Sequence, residues 1–128
     1  MVIGISAPNL QAQLQRKSPA GESRFGLFRA ARQSAGPVEE FMHLYNLLLM
    51  ICNDDQRKVD AFVRKTEPGA PQTRSPRNPK VMETVYTRLR NELAHPRKGV
   101  DLHDTKAEMA NRLGGLVSLT KQAIEILP

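Results

Sequence analysis

The segment Arg88-Leu89-Arg90-Asn91-Glu92-Leu93-Ala94-His95-Pro96-Arg97-Lys98 gathers the residue types that phosphate chemistry uses. An arginine guanidinium is a fixed cationic fork that binds phosphate oxygens and offsets the charge that builds on them. An imidazole gives and takes protons near neutral pH, as general acid and base catalysis requires. On a helix turning about 100° per residue, Asn91 and His95 are direct neighbours on one face. The long stem of Arg90 brings its guanidinium toward the same patch. Pro96 pushes the residue before it out of the α region, so His95 is expected where that helix ends.

Those side chains need a helix to carry them. Val81, Met82, Val85, Tyr86, Leu89 and Leu93 recur at helical spacing and predict one from Pro79 to Ala94 or His95. Asn78 is its expected cap, with Pro79 at the first helical position. Arg90, Asn91 and His95 fall on the arc opposite the apolar stripe. Upstream, residues 66–80 hold four prolines and a glycine, which predicts a long loop without regular structure, basic through Arg74, Arg77 and Lys80. Four other helices are expected. Residues 24–33 form a short one anchored by Phe25, Leu27 and Phe28. A second starts at Gly36-Pro37 and runs to Cys52, apolar nearly all round and therefore central. The third spans Gln56 to Lys65, with Val59, Phe62 and Val63 on one face. A capping box, Thr105 to Glu108, opens the last, which carries Met109, Leu113, Leu116, Val117, Thr120, Ile124 and Leu127 along one side. Gly114-Gly115 in its middle marks the close approach of another backbone.

The fold expected is all-α, an up-and-down bundle of four to five helices over residues 24–128. Residues 1–23 read as an N-terminal arm or linker, with a short strand at Val2–Ile5 and a linker-like Ser18-Pro19-Ala20-Gly21. A chain of 128 residues, 40% hydrophobic and 25% charged, suits one globular domain with a real core. Trp is absent, so that core is built from Leu, Ile, Val, Met and Ala. A single cysteine excludes an internal disulfide, and no Cys/His pair has zinc-site spacing. No apolar run approaches the ~18 residues of a membrane span. The first residues lack the pattern of a secretory signal, so a cytoplasmic location is expected. Net charge is +6, and residues 67–100 hold seven Lys/Arg against three Asp/Glu, a concentration that points to nucleic acid as partner.

Arg90-Asn91-Glu92-Leu93-Ala94-His95 resembles the R-x4-6-H motif of the HEPN superfamily, here with four intervening residues and the polar Asn91 directly after the arginine. The setting is similar too: a late core helix of a small helical bundle, followed by one more long helix, over about residues 24–127. The resemblance implies a metal-independent endoribonuclease without cofactor, acting as a homodimer in which two motifs meet in one composite site. Arg90 would hold and neutralise the scissile phosphate, His95 would act as general acid and base, and Asn91 would orient the phosphate or the histidine. The RNA 2′-hydroxyl would attack, leaving a 2′,3′-cyclic phosphate and a 5′-hydroxyl. Bacterial HEPN proteins frequently serve as toxins or defence effectors, sometimes neutralised by a nucleotidyltransferase-type antitoxin.

Arg74, Arg77, Lys80, Arg88, Arg97 and Lys98 flank the motif and are the expected contacts to the RNA backbone. Two other readings are a non-catalytic HEPN-like module that binds RNA or a protein, and a structural helical dimerisation domain of a larger protein. The remaining polar residues have plainer roles. Glu92 is spaced for a surface pair with Arg88. His43 reads as a packed, hydrogen-bonded histidine, and His103, between Asp101 and Asp104, as part of a turn or cap. Cys52 is expected to be a small buried residue. Tyr45 and Tyr86 fit core packing, and Met42, Met50, Met82 and Met109 fit gap filling.

Overall fold

Phe41, Leu44, Tyr45, Leu47, Leu48 and Ile51 are all buried in α2 (Pro37–Ile51), the helix whose sequence is apolar nearly all round. A computed structural model describes residues 20–128. Around α2 lie α1 (Ala20–Arg32), α3 (Gln56–Thr66), α4 (Val85–Ala94) and α5 (Leu102–Ile126). The long α5 makes the most extensive packing with α2, and α4 lies against α5. Pro37 opens α2, and Asn53 and Asp54 in left-handed backbone end it. Asp55 then caps α3 by accepting from the Arg57 N–H at 2.9 Å. Among the described residues no helix is long and apolar enough to cross a membrane.

The all-helical expectation fails between α3 and α4. Gln72–Arg74 (β1) pairs antiparallel with Met82–Thr84 (β2), in register Gln72 to Thr84, Thr73 to Glu83 and Arg74 to Met82. The fold is therefore mainly helical with one two-stranded hairpin. Asn78 caps a turn, not a helix: its side chain accepts from the Lys80 N–H and its carbonyl from the Val81 N–H. The expected helix start at Pro79 gives way because Thr84 is drawn to Asp60. Its amide and hydroxyl donate to Asp60 Oδ1 at 3.3 and 2.7 Å, and the helix begins only at Val85.

Two other starts move. Asp101 caps α5 through the His103 N–H at 2.8 Å, which confirms the turn role of that Asp/His cluster. Thr105, expected as the cap, lies inside the helix, buried, and gives its hydroxyl to Glu92 at 3.0 Å. Ala20 and Gly21, read as linker, are helical in α1; the Val2–Ile5 strand and Ser18-Pro19 lie outside the described residues. Tyr45, Tyr86, Met109 and Cys52 are buried as expected, whereas Met50 and Met82 are exposed and fill no gap. His43 is exposed, hydrogen-bonded to Ser34 at 2.9 Å but not packed.

The rings of Phe41 and Tyr86 stack 6.4 Å apart and join α2 to α4. The Tyr86 hydroxyl donates to Glu67 at 2.9 Å and presses against Gly115 of α5, where a Cβ would overlap it; nothing lies near Gly114. The close approach read from the glycine pair thus belongs to one of them, against a side chain. Gly114→Ala is expected to raise stability by about 0.5–1 kcal/mol through helix propensity. Gly115→Ala is expected to lower it by roughly 1–3 kcal/mol through overpacking, both read by urea denaturation.

Beneath the hairpin, Asp60 is almost fully buried and Oδ1 also accepts from the Thr87 hydroxyl at 2.6 Å, itself bonded to the Tyr45 hydroxyl at 2.7 Å. Burial pushes the Asp60 carboxyl up from its ordinary range, and the bonds from Thr84 and Thr87 only partly oppose it. The folded state thus holds this proton more tightly than the unfolded chain, and stability falls as pH rises from the unfolded carboxyl range through the raised value. Denaturation midpoints of wild type and Asp60→Asn are expected to diverge with rising pH in that window, wild type losing ground to the variant.

Candidate functional site

The second half of α4 carries Arg90 and Asn91, and Pro96 ends the helix so that His95 sits in extended backbone, φ −134° and ψ 102°. The helix end thus falls where the proline places it, and the imidazole is exposed. Arg90, Asn91 and His95 line one cavity of about 530 Å³ together with Arg77, Arg97 and Lys98. Gln56, Ser75, Pro76, Glu83 and Pro96 complete its walls. Six of the nine residues singled out in the sequence therefore meet in one place.

The other three are elsewhere. Arg74 donates to the Pro79 carbonyl at 2.8 Å and closes the hairpin turn. Lys80 lines a different cavity. Arg88 points to α5, paired with Glu108 at 2.7 Å and Glu92 at 3.2 Å. Burial works against its charge, but the two acidic partners more than offset that and push its pKa up. Arg88 is thus a strut between helices. Glu92, expected on the surface, is buried within the same link.

Asn91 is buried and uses every hydrogen-bonding capacity of its amide. Its Nδ2 donates to Gln56 Oε1 at 3.1 Å and to Glu83 Oε2 at 2.9 Å; its Oδ1 accepts from Gln56 Nε2 at 2.9 Å and from Arg90 Nη1 at 3.1 Å. An aspartate could not make the two donations and would face the Glu83 carboxylate. Asn91 therefore orients the arginine, where the resemblance implied the phosphate or the histidine.

Glu83 on β2 is held in turn by Arg97, which donates from Nη1 and Nη2 at 3.0 and 3.1 Å in a bidentate fork. The chain Arg97–Glu83–Asn91–Arg90 links the segment after α4, the hairpin and the helix. Arg90 Nε is enclosed and has no acceptor. Leaving a buried donor unmet costs about 1–3 kcal/mol.

Glu83 and Gln56 were missed in the sequence. Under the helical reading of residues 79–94, Glu83 belonged to a solvated face, and Gln56 was only the first residue of its helix. Among the described residues no group of three or more His, Cys, Asp or Glu side chains is placed to hold a metal ion.

Because Glu83 is buried, Arg97→Gln is expected to cost about 3 kcal/mol, leaving a carboxylate without its countercharge. Adding Glu83→Gln keeps an acceptor for Asn91 and is expected to restore most of that loss in the double variant, measured by urea denaturation. No family model matches this chain, and neither a curated protein nor a solved structure matches it.

Proposed function

We propose that this chain is a metal-independent endoribonuclease of the HEPN type, working as a homodimer with the Arg90/His95 cavities of two copies facing one RNA. The observation that carries the reading is the meeting of a guanidinium fixed by Asn91 and an exposed imidazole in a single cavity edged by Arg77, Arg97 and Lys98. Arg90 binds the scissile phosphate and takes up the charge that gathers on its oxygens. His95 of one copy removes the 2′-hydroxyl proton as the 2′-oxygen bonds to phosphorus. The bond to the 5′-oxygen breaks, and His95 of the other copy supplies the proton that this leaving group needs. The products are a 2′,3′-cyclic phosphate and a 5′-hydroxyl, with no change in oxidation state.

Cleavage of single-stranded RNA in EDTA, with cyclic phosphate ends, is the expected result. Arg90→Ala and His95→Ala are each expected to reduce it by about 10²-fold or more while the circular dichroism spectrum stays unchanged. Cleavage that survives both substitutions, or that needs an added metal ion, overturns the proposal. Salt-sensitive RNA binding without product selects the non-catalytic module instead.

A further inference from the structure

The hairpin separates two cavities, and the Arg90/His95 pair occupies one of them. Side chains alternate along a strand, so Glu83 stands on one face of the ribbon while Gln72, Met82 and Thr84 stand on the other. Beneath that second face, against α3, lies a cavity of about 680 Å³ whose wall includes Arg57, Arg64, Lys80, Gln72, Asn78 and Asp60.

Its charge is cationic. Arg57 and Arg64 are two turns apart along one side of α3, and Lys80 comes from the hairpin turn across from them. All three are exposed, and among the described residues none takes part in an ion pair. Arg64 has only a long contact with Gln72 Oε1 at 3.5 Å. A carboxylate, Asp60, is also in this wall; it is almost fully buried, and its Oδ1 is taken by Thr84 and Thr87. Three unpaired cations around one cavity make a site for phosphate oxygens.

The two cavities are neighbours across a thin wall. Gln56 lines one and Arg57 the other; Arg77 and Asn78 divide the same way, as do Glu83 and Met82. The wall is a two-stranded ribbon, its strands roughly 5 Å apart. A flexible single strand bends over such a ridge and sets phosphates on both sides. A stiff duplex does not.

We infer that Arg57, Arg64 and Lys80 form a second phosphate subsite, which takes the backbone of single-stranded RNA crossing the hairpin from the Arg90/His95 cavity. The inference rests on reading that cavity as an RNA site. Lys80 was already a candidate from the sequence; Arg57 and Arg64 were not, because only the fold brings them to it.

The test is fluorescence-anisotropy titration of the full chain with 2′-O-methyl oligoribonucleotides, which lack the attacking hydroxyl and cannot be cut. One probe has roughly 12 nucleotides and spans both cavities, the other roughly three. The triple variant Arg57→Gln/Arg64→Gln/Lys80→Gln alters exposed side chains only, and its fold is checked by circular dichroism. It is expected to bind the longer probe at least tenfold more weakly and to lower the slope of log affinity against log salt by about 2, near 0.7 for each phosphate no longer neutralised. Affinity for the short probe is expected to stay unchanged. Equal affinity and equal slope for the longer probe overturn the subsite, as does a wild type that binds neither. If no cleavage is found yet the longer probe still depends on the three residues, the nuclease reading falls and the subsite stands. If cleavage is found and the variant binds and cuts long RNA as wild type does, the subsite alone falls.

Discussion

Burial of the Glu83 carboxylate is the constraint on which the site depends. A charge taken out of water persists only where ionic and hydrogen-bonding partners replace the lost hydration. Arg97 supplies the countercharge from the segment after α4, and Asn91 the further bond from α4 itself. The segment beyond Pro96 is tied to the hairpin, and the hairpin to the end of α4. Arg90 takes its direction from the same amide that completes this arrangement. What orders the guanidinium is thus the need of a neighbouring anion for partners.

Asp60 meets the same problem differently. Its partners are the hydroxyls of Thr84 and Thr87 and the Thr84 amide; burial raises its proton affinity, and these bonds only partly oppose that. One buried acid is paired with a guanidinium, while the other has only hydroxyls and an amide as partners and its carboxyl is pushed up by burial. Glu83 stands on one face of the hairpin and Asp60 meets the other through Thr84, so a ribbon of two short strands is anchored without an apolar core of its own. An isolated two-stranded hairpin is marginal in water, and these polar anchors together with α3 and α4 supply what it lacks.

How much of this could be read in the sequence follows from the physics of each element. The apolar run Phe41–Cys52, the spacing of Val59, Phe62 and Val63, and the Pro37 start are local signals, and α2 and α3 lie where those signals put them. Pro96 acts on the residue beside it, so the position of His95 was legible too. The strand Met82–Thr84 was not. Its apolar residues fit a helix equally well, and the choice was made by Asp60, more than twenty residues away. Six of the nine candidate site residues share a cavity because five sit on or just past one helix end and a turn brings up Arg77. Glu83 and Gln56 stayed hidden because their role exists only once the chain has folded around Asn91.

A strand exchanges its two faces when its pairing slips by one residue. In this hairpin a slip would carry Glu83 to the side of Asp60 and bring Met82 or Thr84 beside Arg97. The number of residues between Arg74 and Met82 is therefore restrained along with the identities of Arg77, Asn78 and Lys80. Descendants of this sequence could exchange Pro76 or Pro79 at less cost than a single insertion or deletion there, which would turn the ribbon over and empty both chambers of their organising groups.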